Sequence, residues 1–299
     1  MQIIEIDINK IELSENSDIN LVLGYFDGVH IGHQKMIKEA VKERDTGVMT
    51  FDISPSFILG KSIKYSHITS LFDKANILKE LGVKYLYVLR VCKELLDVSK
   101  EDFINKILLK INPQRIYIGE DYHFGKAASG DKEDLKKYFD VYVYPLLTIE
   151  DKKVSSRVIR ELINNGEMES VHKLLNRPYS VSGMIVEGSH NGMKIGFPTA
   201  NLDLTYPYVL PKIGVYIGYV KLLGKRYKSI ISMSTHPTIM ELKDPIIEVH
   251  LLNYHDNLYG KEIEVQFIKY IRDIQKFASL EDLKAQLEKD KECAKNELN

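Results

Sequence analysis

Hydrophobic and polar positions in the first half of the chain alternate between two patterns. Short apolar runs at residues 21–23 and 47–51 are typical of buried strands, whereas residues 67–81 place their apolar side chains on one helical face before Gly82. Further strands are predicted at residues 85–91, 115–118 and 141–144, and further helices after Ser99 and at residues 132–139, 156–164 and 167–175. This alternation predicts a parallel sheet with helices on both faces.

The pattern changes near residue 177. Strand-like segments at residues 179–186, 214–222, 227–233, 246–252 and 262–271 then follow one another, separated by Gly, Pro, Asp and Asn turns. A succession of strands without intervening helices predicts an antiparallel barrel or sandwich. A charged amphipathic helix is expected after Ser279. We therefore expect two domains, residues 1–176 and 177–299.

Composition narrows the class of protein. The 299 residues include 41 Lys and Arg against 42 Asp and Glu, a net charge of -1, which argues against a general nucleic-acid binder. We expect no membrane partner, because no apolar stretch is long enough for a span and the first residues do not resemble a signal peptide. Two cysteines far apart in sequence, Cys92 and Cys293, favour a reduced, cytoplasmic setting.

Residues 24–33 read GYFDGVHIGH and lie where a predicted parallel strand ends and a helix begins. Open α/β sheets bind ligands at this edge, and a helix N-terminus there offers N–H groups and a positive dipole end to phosphate. Gly28 and Gly32 let the backbone come close to a ligand. His30 and His33 are three residues apart, so both rings can face one phosphate. The segment predicts a phosphate site.

A second motif, residues 188–202, reads GSHNGMKIGFPTANL. Glycines suit a phosphate-binding loop, and oxygen ligands suit magnesium. Thr199 and Asn201 are two apart, so in extended chain their side chains face the same way and can share one Mg²⁺–nucleotide complex. Glu248 lies in the alternating segment 247–252 and is either a proton acceptor for an alcohol or a solvent-facing strand residue.

These motifs resemble those of the prokaryotic bifunctional riboflavin kinase/FAD synthetase family. The string G-x-F-D-G-V-H-x-G-H, YIGEDYHFGK at residues 117–126 and SSRVIR at residues 155–160 resemble the adenylyltransferase module. G-x-P-T-A-N and EVHLL, followed by LYG at residues 258–260, resemble the riboflavin kinase. The resemblance implies a Rossmann-like nucleotidyltransferase α/β domain, then a six-stranded antiparallel flavokinase barrel with a terminal helix.

The resemblance also implies roles for individual residues. The catalytic residues are Glu248 as base, and His30, His33 and Arg160 as stabilisers of phosphate charge. Nucleotide binding falls to Gly24, Phe26, Asp27, Gly28, Gly32, Ser155, Ser156, Gly188, Gly192, Gly196 and Thr199. Metal binding falls to Thr199 and Asn201, and flavin binding to Asp121, Phe124, Tyr259 and Arg272. Tyr259 and Arg272 are equally compatible with packing and surface roles.

The activity implied is phosphorylation of riboflavin to FMN and adenylylation of FMN to FAD, with ATP as co-substrate and Mg²⁺ as cofactor. Partners are then riboflavin, FMN, ATP and FAD, and a weak homo-oligomer is compatible with the sequence. Arg157 stands where the family has threonine, and residues 51–55 lack the family's histidine. Two alternatives therefore stay open: a riboflavin kinase with an impaired adenylyltransferase module, and a non-catalytic flavin-binding regulator.

Overall fold

The computed structural model describes residues 1–55, 60, 67–149, 152–187, 197–235 and 245–298. The chain divides into two compact units, Met1–Ser156 and Arg157–Asn299, which are described separately. The residues between this division and the predicted domain boundary at residue 177 belong to the second compact unit. The boundary at residue 177 stays a prediction.

The first unit contains a six-stranded parallel sheet in the order β1-β4-β3-β2-β5-β6. Its strands are β1 (Gln2–Ile6), β2 (Asn20–Leu23), β3 (Thr46–Phe51), β4 (Tyr85–Leu89), β5 (Arg115–Gly119) and β6 (Asp140–Tyr144). A small antiparallel hairpin follows, β7 (Thr148–Ile149) and β8 (Lys152–Lys153). The α-helical and π-helical segments described in this unit are α1 (Ile31–Glu43), α2 (Leu71–Glu80), α3 (Lys93–Leu96), α4 (Lys100–Phe103), a π-helical turn (Ile104–Leu108), α5 (Leu109–Ile111) and α6 (Lys132–Lys136).

Helices cover both faces of this sheet, as predicted. On β2, Leu21 belongs to a buried cluster that includes Ile107, whereas Val22 belongs to another that includes Ile37 of α1 and Leu78 of α2. Successive side chains of a strand point to opposite faces, so both faces of β2 are buried. This explains why the strand is a continuous apolar run rather than an alternating one.

Helix α2 begins four residues later than the sequence indicates. Ser70 is its N-cap: the Ser70 hydroxyl accepts a hydrogen bond from the Asp73 N–H at 3.1 Å, and the Asp73 carboxylate accepts from the Ser70 N–H at 3.0 Å. The preceding amides of Ile68 and Thr69 donate to the carboxylate of Asp27 instead of entering the helix. A reciprocal cap of this kind satisfies the free amides of the first turn and fixes where the helix starts.

The second unit is built around a closed barrel of six strands in the order β10-β13-β12-β11-β14-β9, in which every neighbouring pair is antiparallel. The strands are β9 (Tyr179–Val186), β10 (Ala200–Leu204), β11 (Gly214–Leu222), β12 (Lys225–Thr235), β13 (Pro245–Leu251) and β14 (Glu262–Arg272). The described helices of this part of the chain are α7 (Ser156–Asn165), α8 (Met168–Leu175) and α9 (Leu280–Glu297). The predicted six-stranded antiparallel barrel with a terminal helix is confirmed.

The terminal helix packs on the outside of the barrel. Ser279 caps α9 by accepting a hydrogen bond from the Asp282 N–H at 3.1 Å. Val215 and Ile217 of β11 pack in one buried cluster with Ala294 of α9. Residues that alternate with them face the barrel interior, which leaves their own outward side for contact with the helix.

Candidate active sites

A cavity of about 380 Å³ lies at the carboxyl ends of the sheet strands in the first unit. Its border includes the last residues of four strands: Leu23 of β2, Phe51 of β3, Gly119 of β5 and Tyr144 of β6. Open α/β sheets bind their ligands at this edge. The cavity is therefore where the sequence predicts the phosphate site.

His30 and His33 border this cavity at the N-terminus of α1. His30 is the N-cap, and its Nδ1 accepts a hydrogen bond from the His33 N–H at 3.4 Å. The two rings stack with centroids 3.5 Å apart and an angle of 19° between their planes. A Cβ at position 32 would come within 3.2 Å of the His30 ring, so Gly32 leaves room for the stack. The predicted proximity of the histidines is present in the structure.

The electrostatics of the pair favour a neutral His33. Burial holds the pKa of the His33 imidazole well below its ordinary value, and the charges of His30 and Lys74 lower it further. The His33 Nδ1 is buried and makes no hydrogen bond to any residue in the described part of the chain. A neutral ring has one N–H donor and one acceptor nitrogen. It therefore acts at neutral pH as a hydrogen-bonding group rather than as a cation.

The turn before the histidines is strained. Phe26, Gly28 and Val29 have φ angles of 55°, 78° and 39°, all in the left-handed region. Glycine adopts this region freely, but an aromatic and a β-branched residue do so at a cost of about 1–3 kcal/mol each. Such a turn persists only when the surrounding structure holds it in place.

Asp27 supplies much of that support. Its carboxylate accepts hydrogen bonds from the amides of Ile68 at 2.9 Å and Thr69 at 3.2 Å, and the Gly28 N–H donates to the Thr69 hydroxyl at 3.0 Å. The Ser156 hydroxyl donates to the Asp27 carbonyl at 2.9 Å. Asp27, predicted from sequence to contact nucleotide, is only 1% exposed and shapes the turn through these backbone contacts.

Lys74 stabilises the same turn through hydrogen bonds, and the sequence analysis did not assign this residue a role. Its ammonium donates to the Tyr25 carbonyl at 2.6 Å and to the Thr50 hydroxyl at 3.0 Å, and the Thr50 hydroxyl donates to the same carbonyl at 2.8 Å. Burial lowers the pKa of Lys74 to about 8. A signal was available, because Lys74 shares a helical face with Leu71 and Leu78, where an apolar residue is expected.

The remaining predicted residues of the first unit have mixed positions. Ser155, Ser156, Gly24 and Phe26 border the cavity, and so does Asp121, whose carboxylate lies 2.7 Å from the Lys153 ammonium. Phe124 does not border it. Phe124 is 6% exposed and packs in the core, with its ring centroid 5.4 Å from that of Phe103. Its contact with flavin stays a prediction.

Several bordering residues carried no signal strong enough for the sequence to assign them. Five of them lie on the loops after β5 and β6, and they are Tyr122, His123, Pro145, Leu146 and Leu147; the sixth, Lys153, ends strand β8. Tyr122 and His123 fall inside the predicted flavin segment, but the hairpin residue Lys153 falls outside the quoted motifs.

Arg160 lies on α7 in the second compact unit, and its role in holding phosphates stays a prediction. Arg157, the departure from the family's threonine, is 87% exposed and pairs with Glu161 one helical turn later, at 3.1 Å. Its long side chain is therefore directed to solvent along the helix surface.

A second cavity, of about 420 Å³, lies in the second unit. Its polar border consists of Thr199, Ser232, Glu248, His250, Arg272 and Gln275. Its apolar border includes Ile274, Phe277, Leu280, Leu283 and Leu287. The cavity thus lies between one face of the barrel strands on one side and, on the other, the segment before α9 together with the first turns of α9.

The strand register brings predicted residues into a row. Asn201 of β10 lies opposite Glu248 of β13, and Glu248 lies opposite Ser232 of β12. Directly opposed residues place their Cβ atoms about 5 Å apart on the same face of a sheet. Thr199 stands just before β10 and borders the same cavity as Glu248. The barrel therefore collects a hydroxyl, an amide and a carboxylate.

Glu248 is suited to accept a proton. The residue is half-buried, and burial raises the pKa of its carboxyl above the ordinary value. A carboxylate that binds a proton more tightly is a better general base while it remains ionised. Thr199, which borders the same cavity, offers a hard oxygen of the kind that Mg²⁺ takes alongside substrate phosphates. Asn201 lies opposite Glu248 in the register but is not among the described residues that border the cavity, so metal binding by Thr199 and Asn201 stays a prediction.

His250 fixes the chain next to Thr199. Its Nδ1–H donates to the Pro198 carbonyl at 2.8 Å, and its ring centroid lies 5.2 Å from that of Phe197. Burial lowers the pKa of His250, which favours the neutral ring. Gly188, Gly192 and Gly196 of the predicted phosphate loop lie outside the described residues.

The two predicted flavin residues of the barrel differ in position. Arg272 borders the cavity and pairs through two nitrogens with Asp290 of α9, with the Nη2–Oδ2 distance 2.7 Å and Asp290 only 3% exposed. Gln286 donates to the same carboxylate at 2.9 Å. Tyr259 is half-buried and is not among the described residues that border the cavity. Flavin contact by either residue stays a prediction.

The chain combines an α/β unit that has paired histidines at its strand ends with a closed barrel whose cavity is bordered by a carboxylate and two hydroxyl groups, an arrangement expected of a two-domain transferase. Comparison with known proteins agrees: a family model described as FAD synthetase matches residues 12–158, and one described as riboflavin kinase matches residues 175–298. A bifunctional riboflavin kinase/FMN adenylyltransferase of Listeria monocytogenes is 37% identical, covering 95% of this chain and 94% of the relative. One of the same name from Bacillus subtilis is 36% identical, covering 92% and 90%. The chain belongs to the bifunctional riboflavin kinase/FMN adenylyltransferase family.

The fold has a whole-length counterpart among solved structures. A crystal structure from Streptococcus pneumoniae, titled a macrolide-efflux protein, matches with a TM-score of 0.91 and 32% identity over 99% of both chains. Within the described residues of the present chain, no helix has both the length and the apolar character needed to cross a membrane.

Proposed function

We propose that the chain phosphorylates riboflavin to FMN in the barrel cavity and adenylylates FMN to FAD in the cavity of the first unit. The observation that carries the proposal is that each unit holds a ligand-sized cavity bordered by the residues its reaction needs. Glu248 and Thr199 border one cavity, and His30 and His33 border the other. Membership of the family supports the same assignment.

In the barrel, the Glu248 carboxylate accepts the proton of the ribityl 5′-hydroxyl of riboflavin. The oxygen bonds to the γ-phosphorus of ATP as the bond to the β,γ-bridging oxygen breaks, and ADP leaves. Thr199 and Asn201 would hold Mg²⁺, which offsets phosphate charge when bound. His250 keeps the chain before β10 in position for this role.

In the first unit, a phosphate oxygen of FMN attacks the α-phosphorus of a second ATP, and pyrophosphate leaves. A phosphate monoester is largely ionised at neutral pH, so this nucleophile needs no strong base. The task of the protein is alignment and charge stabilisation. The α1 N-terminus and the hydrogen-bonding imidazoles of His30 and His33 suit it, and Arg160 adds a cation in this proposal.

The same proposal covers the finer assignments. The nucleotide lies over the turn that contains Gly24, Gly28 and Gly32, next to Ser155 and Ser156. Both reactions require Mg²⁺ and take place in the cytoplasm, and the domain boundary lies near residue 177. The match of both family models, in order along one chain, supports two activities over a kinase alone or a flavin-binding regulator.

Product analysis tests the proposal. The chain is incubated with riboflavin, ATP and magnesium, and riboflavin, FMN and FAD are separated by chromatography at successive times. We expect FMN to form first and FAD to follow. Accumulation of FMN without any FAD would instead indicate a kinase alone, and unchanged riboflavin together with unchanged added FMN would indicate a regulator.

A further inference from the structure

The cavity of the first unit has little permanent positive charge for a site that binds several phosphates. Among the described residues that border it, Lys153 is the only lysine or arginine. His33 is held neutral by its burial. The helix N-terminus supplies the equivalent of about half a charge. The Lys74 ammonium lies behind the border and is bonded to the Tyr25 carbonyl. Lys153 is therefore the one lysine or arginine among the described bordering residues that can meet a phosphate in this cavity.

Lys153 stands on a fixed backbone. It pairs with Thr148 in the β7–β8 hairpin, and the next residue, Val154, is 5% exposed and donates a hydrogen bond to the Leu147 carbonyl at 2.9 Å. Ser155, which also borders the cavity, lies two residues further on. The hairpin backbone thus places Lys153 at the cavity border, and its four-carbon side chain has enough rotatable bonds for the ammonium to change partner.

The present partner of Lys153 is readily exchanged. Its ammonium lies 2.7 Å from the Asp121 carboxylate, with side-chain exposures of 44% and 64%. Ion pairs this exposed are weak, because solvent screens them and ordering two long side chains costs entropy. A phosphate carries more charge than a carboxylate and competes well for the same ammonium.

We propose that Lys153 is a substrate-binding residue of the adenylyltransferase site, whose ammonium leaves Asp121 and binds a phosphate group of the bound substrate. This inference rests on the proposed function of the first unit. The phosphate belongs either to ATP or to FMN, and the chemistry of recognition is shared. A purely structural role, in which the pair only holds the loop at Asp121, is the competing explanation.

Steady-state FAD formation from FMN and ATP tests the proposal in the full chain. We expect Lys153→Gln to raise the KM of one substrate by about 10- to 100-fold, the loss expected for one charge-assisted hydrogen bond. An effect on ATP would assign the phosphate to the nucleotide, and an effect on FMN to the flavin. Lys153→Arg should keep most of the affinity, because it retains the charge.

Two controls separate binding from structure. Lys136→Gln removes an equally exposed lysine of the same unit, whose pair with Glu133 at 2.8 Å has exposures of 45% and 62%, and should leave both KM values unchanged. Pulse proteolysis, read from peptides of β2 and β3, reports whether the first unit of each variant is folded. Asp121→Asn breaks the same ion pair but leaves the lysine available. Because Asp121 is itself a predicted flavin residue, this variant is compared only by its KM for ATP, which should not rise.

The inference is overturned if Lys153→Gln keeps both KM values within about twofold of wild type, a change smaller than one hydrogen bond contributes. It is also overturned if Asp121→Asn raises the KM for ATP as much as Lys153→Gln does. A wild-type chain that forms no FAD would instead overturn the proposed function itself, so the two failures are distinguishable.

Discussion

Replacing Lys74 by methionine should remove a pH dependence from the stability of the first unit. Lys74 is 2% exposed, and burial lowers its pKa from 10.5 to about 8 in the folded chain. Between these two values the unfolded chain holds the proton and the folded chain does not. The free energy of unfolding of the wild type therefore rises with pH in this window.

The size of the effect follows from the two pKa values. Each pKa unit corresponds to about 1.4 kcal/mol, and most of the gain appears once the pH passes the folded value of about 8. Between pH 7 and pH 9.5 the wild type should gain about 2 kcal/mol from this group. Lys74→Met lacks this titrating group. The contributions of tyrosines and other titrating residues to the pH dependence are the same in both chains and cancel when the two are compared.

Urea unfolding of the full chain at several pH values measures this difference. The chain contains no tryptophan, so the folded fraction of the first unit is read by pulse proteolysis, with peptides from β2 and β3 detected by mass spectrometry. Lys136→Met serves as the exposed-lysine control and should behave as wild type. Parallel pH profiles for wild type and Lys74→Met would refute the reasoning.

Three further substitutions test other parts of the structure. Gly28→Ala should lower the melting temperature and FAD formation, since φ is 78° and the new Cβ would lie 3.0 Å from Ile68; an unchanged melting curve would contradict the strain. Glu248→Gln should reduce kcat for riboflavin phosphorylation about 10²- to 10⁴-fold. In the wild type, kcat should decline at low pH with a midpoint above the ordinary carboxyl value, because burial raises the pKa of Glu248, and the variant should lack this decline. An acid limb that persists in the variant would exclude this base. Arg272→Met should destabilise the second unit by about 3–5 kcal/mol, because Asp290 is left as an unpaired buried charge. In thermal melts, adding Asp290→Leu to this variant should restore most of the lost stability. Equal melting temperatures of the single and double variants would argue against the ion pair.

Local patterns were sufficient to predict much of the fold. The predicted strands at residues 179–186 and 214–222 have the same ends as β9 and β11, because each alternating run is bounded by turn residues. The parallel sheet was predictable because buried runs and amphipathic segments alternate along the chain. β10 was not predicted, because the sequence Ala200–Leu204 is short and carries little strand signal of its own. It is a strand through its pairing with β9 and β13, which are distant in sequence.

The candidate sites were predictable where residues are close in sequence. His30 and His33 lie within one helical turn, so their proximity followed from spacing alone. Lys74 acts on Tyr25, which is 49 positions away, and Lys153 reaches Asp121 across 32 positions. Neither contact can be predicted from neighbouring residues in the sequence, because both contacts depend on the sheet, which brings distant loops together at one edge.

The division of the two reactions between the two units is tested most directly by mixing two full-length variants, each of which lacks one of the two activities. His30→Ala and Glu248→Ala chains are incubated separately and together with riboflavin, ATP and magnesium, and the flavins are separated by chromatography. We expect His30→Ala to stop at FMN, Glu248→Ala to leave riboflavin unchanged yet convert added FMN to FAD, and the mixture to form FAD from riboflavin. Loss of FMN formation in His30→Ala, or a mixture that yields no FAD, would contradict two independent reaction centres.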